Sequence, residues 1–135
     1  MRFPIQGNDF MQAGEAASKI KRALQQIGME SGLVRRVSII SYEAEMNIVI
    51  HAYHGELILT IWPGKIQIVA TDVGPGIADV DLAMQVGYST APESVRQMGF
   101  GAGMGLPNIQ KCADEMQVET KVGEGTRILV KINLR

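Results

Sequence analysis

The sequence predicts an α+β fold: a two-layer α/β sandwich in which helices cover one face of a mixed, mostly antiparallel sheet. Three observations lead to this class. Segments with strand-like and helix-like patterns follow the order β-α-α-β-β-α-β-β. Short turns typical of hairpins join most neighbouring strands, whereas parallel strands need long helical crossovers. No internal repeat or low-complexity segment interrupts this order.

The first part of the chain is predicted to hold one strand and two helices. Residues 1–7 are short and alternating enough to form a strand. Asn8 and Asp9 are good helix caps, and apolar residues then recur at helical spacing over residues 10–27. A second helical pattern covers residues 33 to about 53.

The second part is predicted to hold two hairpins separated by helices and a loop. Alternating, β-branched runs flank the turn Pro63-Gly64, and a glycine-rich turn separates two further runs near the end. Residues 87–98 are polar, contain Pro92 and are predicted to form a mobile loop. The predicted elements are strands 56–62 and 65–71, a short helix 79–86, a helix 106–116, and strands 118–122 and 126–134.

Composition and charge restrict the class of protein. The 135 residues, of which 46% are hydrophobic and 20% charged, predict one globular domain spanning 1–135. The net charge of −1 gives no electrostatic reason to expect a nucleic acid or an anionic membrane as partner. The pattern of a signal peptide or membrane span is absent, and the single Cys112 suggests a reducing compartment. A cytoplasmic protein is therefore expected.

Two glycine-containing segments point to a nucleotide site. Residues 72–76 (DVGPG) place a carboxylate at the end of a predicted strand, where it can select a base. Residues 99–105 (GFGAGMG) lead into a predicted helix, whose first amides and dipole favour phosphate. The spacing fits neither a Walker A loop nor a dinucleotide-binding fingerprint. The alternatives are that the first segment is an ordinary turn and that the second is a flexible linker.

A polar row on the second predicted helix is the third feature. Glu43 and Asn47 are four residues apart, so they share one helix face, and His51 extends the row. Polar groups beside an apolar stripe are costly unless they are paired or used. An ordinary solvated pair of side chains is the alternative. Glu45 points away from Glu43 in the predicted helix and is expected at the surface.

In this order, the three features and a later Gly125-Thr126 resemble the N, G1 and G2 boxes and the late threonine of the GHKL, or Bergerat-fold, ATPases. The resemblance is closer to the small bacterial anti-sigma-factor and switch serine kinases. Residues 43–51 look like their N box, residues 88–96 like their ATP lid and residues 103–107 like their phosphate loop. The resemblance extends from about Asn8 to Arg135.

This resemblance implies a Bergerat fold with an ATP lid, and ATP and Mg²⁺ as ligands. Glu43 would be the general base and Arg96 would reach the phosphates, so these are the implied catalytic residues. Asp72 would accept a hydrogen bond from the exocyclic amine of adenine, and Asn47 would be the metal ligand. Thr126 would support Asp72 or the base through its hydroxyl. The implied nucleotide-binding residues are Asn47, Asp72, Gly74, Gly76, Ile77, Gly101, Gly103, Gly105, Leu106 and Thr126.

The implied function is that of an ATP-dependent serine/threonine kinase of the anti-sigma or switch type. Such a kinase phosphorylates a STAS-domain antagonist protein and regulates transcription. A second partner would be a sigma factor or a PP2C-type phosphatase, and the N-terminal strand, residues 2–6, would form a homodimer. The alternative is a nucleotide-gated protein-binding module, in which ATP closes residues 79–104 over a partner with little or no phosphoryl transfer. A chaperone-like ATPase would need further domains to use such a motion.

Overall fold

One antiparallel sheet organises the fold. The computed structural model describes residues 1–85 and 105–134. Five strands lie in the order β1-β2-β3-β5-β4, and each neighbouring pair is antiparallel. The strands are β1 Arg2–Gln6, β2 His54–Trp62, β3 Lys65–Val73, β4 Glu115–Lys121 and β5 Gly125–Asn133, and the helices are α1 Glu15–Gln26, α2 Ser31–His51, α3 Val80–Ala83 and α4 Gly105–Cys112. The predicted α+β class is confirmed.

Side-chain alternation explains why one face of the sheet carries the helices. In β5, Thr126, Ile128, Val130 and Ile132 are buried, while the residues between them are partly exposed. The central helix α2 packs against β1, β2 and β3, and also against α1 and α4. Each large aliphatic side chain that is fully buried in this layer contributes roughly 1.5–3 kcal/mol. The fully buried core includes Ile20, Leu24, Ile40, Ile48, Leu57, Leu59, Ile66, Ile68, Ile109 and Ile132.

Several helix boundaries differ from the prediction. The first helix begins at Glu15 rather than near residue 10, and Asn8 and Asp9 do not cap it. The Asp9 carboxylate instead accepts the backbone N–H of Gln12 at 3.3 Å, in a turn before the helix. The predicted helix 106–116 is too long, because the chain leaves the helix after Cys112 and enters β4 at Glu115.

The buried carboxylate of Glu45 caps α1 from the neighbouring helix. Glu45 is 2% exposed, so its predicted surface position is wrong. Its oxygens accept the backbone N–H groups of Gly14 at 2.9 Å, Ala16 at 3.3 Å and Ala17 at 2.9 Å. These donors belong to the helix start, where amides lack partners within the helix and the dipole favours an anion. Glu45 therefore fastens α1 to α2.

The position of β5 between β3 and β4 brings distant segments together. Thr71 of β3 pairs with Arg127 of β5, so Asp72 lies beside Thr126. Two backbone hydrogen bonds also join the loop after β3 to the β4–β5 turn: Gly74 N–H donates to Glu124 O, and Gly123 N–H donates to Pro75 O. The end of β3 is thus held by the last hairpin. Within the described part of the chain, no helix has the length and apolar character required to cross a membrane.

Candidate nucleotide site

The polar row on α2 faces the start of α4. A Cβ atom placed on Gly105 would lie 3.9 Å from Asn47 Oδ1 and 3.9 Å from Glu43 Oε1. Both side chains are partly exposed, and they leave α2 on the side where α4 begins. The structure therefore brings together Glu43, Asn47 and Gly105, three of the residues selected from the sequence. A carboxylate, an amide oxygen and a helix start in this arrangement suit a phosphate group and a cation.

Asn108 is a residue of this cluster that the sequence reasoning missed. Its Nδ2 donates a hydrogen bond of 2.6 Å to Glu43 Oε2. Its position in the sequence could have indicated a role. Asn108 lies between Leu106 and Ile109, which are both buried, so a polar side chain there needs a hydrogen-bond partner. The bond connects the first turn of α4 directly to α2.

Asp72 is fixed by the backbone of β5. Its Oδ1 accepts the N–H of Thr126 at 3.1 Å. The Thr126 hydroxyl pairs with the Thr120 hydroxyl at 3.0 Å rather than with Asp72, and its support of the base, the other predicted role, stays a prediction. Burial raises the pKa of Asp72 above its ordinary value of 3.8, while the Thr126 hydrogen bond and the charge of His54 oppose this shift. Because the Thr126 N–H is bonded to Oδ1, Oδ2 can accept a hydrogen bond from a ligand.

The loop after β3 is shaped by close backbone contacts. A Cβ atom on Gly74 would lie 2.9 Å from the Cα atom of Ala52, at the end of α2. Gly76 has φ 75°, a left-handed conformation that favours glycine, and a Cβ there would lie 2.5 Å from the carbonyl oxygen of Lys121. The Ile77 N–H donates to the Thr120 hydroxyl at 2.8 Å. These contacts hold the loop between α2 and the β4–β5 hairpin.

The remaining predicted site residues divide into two groups. Leu106 is 6% exposed and belongs to the hydrophobic core, so its side chain anchors the first turn of α4. Arg96, Gly101 and Gly103 lie outside the described residues, as do the predicted loop 87–98 and the lid residues 88–96.

Burial of His51 makes stability depend on pH. Desolvation lowers the pKa of His51 from its ordinary value of 6.5. As the pH falls below 6.5, the unfolded chain takes up this proton before the folded chain does, so the free energy of unfolding should decrease. It should level off below the folded-state pKa. His51→Gln should remove this slope in urea unfolding between about pH 5 and 7, whereas His54→Gln, at an exposed position, should retain it. Equal slopes in wild type and His51→Gln would contradict the assignment.

Comparisons with known proteins identify the family of the chain. A model of the histidine kinase-like ATPase domain matches residues 8–132. An anti-sigma F factor of Caldanaerobacter subterraneus subsp. tengcongensis is 41% identical over 91 residues, which are 64% of this chain and 60% of that protein. The serine/threonine-protein kinase RsbT of Bacillus subtilis is 33% identical over 97 residues, which are 69% of this chain and 67% of that kinase.

The alignment with the first of these relatives thus spans about 60% of its length. Among solved structures, the mycobacterial sensor histidine kinase MprB matches with a TM-score of 0.58 over 98% of this chain and 97% of that one. At 16% identity, this match shows a shared fold. Together, the family match and the relatives show that the chain belongs to the histidine kinase-like ATPase domains of the GHKL superfamily, alongside the anti-sigma factors and switch-protein serine kinases.

Proposed function

We propose that the protein is an ATP-dependent serine/threonine kinase of the anti-sigma or switch type, with a STAS-domain antagonist protein as its substrate. The observation that carries this proposal is the position of the Glu43 carboxylate. It lies beside Asn47 and the start of α4, and Asn108 holds one of its oxygens. A carboxylate in this place can accept the proton of an attacking hydroxyl while the neighbouring backbone amides bind phosphate.

Adenine recognition is assigned to Asp72. Its Oδ1 is already bonded to the Thr126 N–H, so the carboxylate is oriented before a ligand arrives. The exocyclic amine of adenine is a donor and would complete the pairing, whereas guanine presents an oxo group at the same position. The loop with Gly74, Gly76 and Ile77 would border the base. Gly101, Gly103 and Gly105 would contribute amides to the phosphates, with Leu106 anchoring the helix start.

The residues present fit magnesium bound mainly by its nucleotide. Among the described residues, no group of three His, Cys, Asp or Glu side chains could hold a metal ion. Mg²⁺ commonly takes few protein ligands and completes its shell with phosphate oxygens and water, and Asn47 Oδ1 would supply such a ligand. Bound there, Mg²⁺ would neutralise charge on the phosphates.

A groove gives a protein substrate access to Glu43. It has a volume of about 460 Å³ and lies between α2 and α4. The groove is lined by both apolar and polar side chains: Ser38, Ile39, Tyr42, Glu43, Asn108, Lys111 and Cys112. A serine or threonine on a protruding loop of the substrate could therefore approach Glu43 from the groove. Most of the rate would come from positioning and from charge neutralisation at the γ-phosphate, to which Arg96 would contribute.

The proposal includes further partners. A sigma factor or a PP2C-type phosphatase would be the second binding partner, and the similarity to an anti-sigma F factor supports the sigma factor. β1 lies at one edge of the sheet, so residues 2–6 offer an edge through which a second copy could pair to form the homodimer.

The nucleotide part of the proposal predicts a large effect of Asp72→Ala. Losing a charge-assisted hydrogen bond worth about 1.5–3 kcal/mol should weaken ATP binding by roughly 10- to 150-fold. Isothermal titration of ATP and GTP with Mg²⁺ measures this loss and the expected preference of wild type for ATP. Asp114→Ala is the matched control, because Asp114 also accepts a β5 amide, that of Asn133 at 2.7 Å, at the opposite end of β5 from Thr126. Equal affinities for ATP in wild type and Asp72→Ala would refute the assignment.

The kinase proposal is tested by transfer of the γ-phosphate. Wild type is incubated with γ-labelled ATP, Mg²⁺ and STAS-domain proteins of the source organism, and the labelled residue is mapped by mass spectrometry. Label on a serine or threonine of one STAS-domain protein is the expected result. Tight ATP binding without hydrolysis or labelling of any protein would favour the nucleotide-gated binding module instead.

A further inference from the structure

We infer that Asn108 is a positioning residue that aims the Glu43 carboxylate and couples it to the helix start at the phosphate end of the site. The inference rests on the proposed phosphoryl transfer, and it adds a residue that neither the N box nor the glycine segments include. Asn108 lines the groove proposed for the substrate, but the inference gives it no contact with ATP or with the reacting hydroxyl. Its action is exerted through Glu43.

The two carboxylate oxygens of Glu43 have different surroundings. Oε2 of Glu43 accepts the Asn108 Nδ2 hydrogen bond at 2.6 Å. Oε1 lies 3.9 Å from the position that a Cβ atom on Gly105 would occupy, and Asn47 Oδ1 lies at the same distance from that position. One oxygen is thus held by the protein, and the other faces the helix start. A glutamate with three side-chain torsions and no such anchor would spread over several rotamers.

The hydrogen bond between Asn108 and Glu43 is charge-assisted and partly shielded from solvent. An amide donor to an ionised carboxylate makes a charge-assisted hydrogen bond, which is shorter and about twice as strong as a neutral one. Glu43 and Asn108 are both partly buried, which limits competition from water. Substrate alignment is sensitive to small errors, and a displacement of about 1 Å can cost about 100-fold in rate.

Asn108 lies in the first turn of α4, the helix that follows the glycine segment. Gly105, Leu106 and Asn108 occupy the first turn of the same helix, and Leu106 fixes that turn in the core. Any shift of this turn relative to α2 changes the Asn108–Glu43 contact. The orientation of the base is therefore coupled to the helix that follows the glycine segment. The exposed neighbour Gln110 carries the same amide group on this helix but points elsewhere, which makes it a matched control.

The test compares Asn108→Ala with Gln110→Ala in single-turnover transfer of label from ATP to the STAS-domain substrate. Asn108→Ala should slow transfer by about 10- to 100-fold, while its ATP affinity stays within a factor of about three of wild type. Gln110→Ala should match wild type in both. In a Glu43→Gln background, Asn108→Ala should cause no further loss, because its effect passes through the missing carboxylate.

The nearly isosteric Asn108→Asp supplies a second readout. It places a carboxylate against Glu43, and two carboxylates at hydrogen-bond distance tend to share a proton. The acidic limb of the rate–pH profile should therefore move to higher pH than in wild type, an effect that a purely structural role would not produce. ATP binding by each variant reports that it is folded. If Asn108→Ala does not fold, Asn108→Asp and Asn108→Ser replace it in the comparison.

Three results would overturn the inference. Wild-type transfer rates in both Asn108→Ala and Asn108→Asp would do so, whether or not thermal stability falls. An equal loss on adding Asn108→Ala to Glu43→Gln would show that Asn108 acts independently of the base. A wild-type chain that binds ATP but transfers no phosphate would overturn the proposed function and this inference together, whereas the first two results leave the kinase proposal standing.

Discussion

Glu43→Gln is expected to slow phosphoryl transfer by about 100- to 10,000-fold, the usual range for removing a general base. Glutamine preserves the shape of the side chain and can still present an oxygen to Asn108, so the fold should be retained. It cannot take up the proton of the attacking hydroxyl. ATP affinity should stay within a factor of about three, because the proposed role of Glu43 concerns the transition state rather than nucleotide binding.

Single-turnover kinetics and ATP titration separate these two effects. Glu30→Gln is the control: Glu30 precedes α2, and its exposed carboxylate accepts the N–H groups of Gly32 at 2.7 Å and Leu33 at 3.1 Å. That variant should transfer phosphate at the wild-type rate. Transfer at an unchanged rate in Glu43→Gln would remove Glu43 from the role of base, and a large loss of ATP affinity would assign it to nucleotide binding.

Glu45→Ala should cause the largest loss of stability among the substitutions considered. The change leaves three backbone donors at the start of α1 without their acceptor, of which those of Ala16 and Ala17 are buried and that of Gly14 is partly buried. Each unsatisfied buried donor costs about 1–3 kcal/mol, so a decrease of at least about 3 kcal/mol in the free energy of unfolding is expected. For a domain of this size that corresponds to a fall in Tm of roughly 10 °C.

Chemical denaturation of Glu45→Ala and Glu45→Gln measures this contribution. Glutamine keeps one acceptor but loses the charge, and should fall between alanine and wild type. Glu30→Ala removes a carboxylate with the same capping chemistry at an exposed helix start, and should cost only about 1 kcal/mol. Similar losses for Glu45→Ala and Glu30→Ala would show that burial does not strengthen the Glu45 cap.

The hairpins and the α+β class follow from the sequence because their signals are local. Alternating β-branched runs, the Pro63-Gly64 turn and the glycine-rich turn before Thr126 predict the hairpins, and the observed strands differ from the prediction by only a few residues. The start of α1 was misplaced because Asn8 and Asp9 are good caps by residue type. The carboxylate that accepts the amides at the true start of α1 belongs to Glu45 of α2, so the sequence around α1 does not indicate it.

The site residues that the sequence predicts are those that belong to short motifs. Glu43, Asn47 and Gly105 could be grouped because their spacing and order resemble known motifs, and the structure places them together. The burial of Glu45 and the role of Asn108 were not predicted, because their partners are backbone amides of α1 and a carboxylate of α2. Such pairings depend on how helices pack, which residue spacing on a single helix does not reveal.

The hydrogen bond from Thr126 to Asp72 joins residues 54 positions apart. During translation, β3 therefore leaves the ribosome well before the strand that orients its terminal aspartate. A nascent chain arrested ahead of β5 would present that aspartate without its backbone donor. Under the role proposed for Asp72, a chain truncated before β5 would lack the backbone donor that orients this carboxylate, and should bind ATP more weakly.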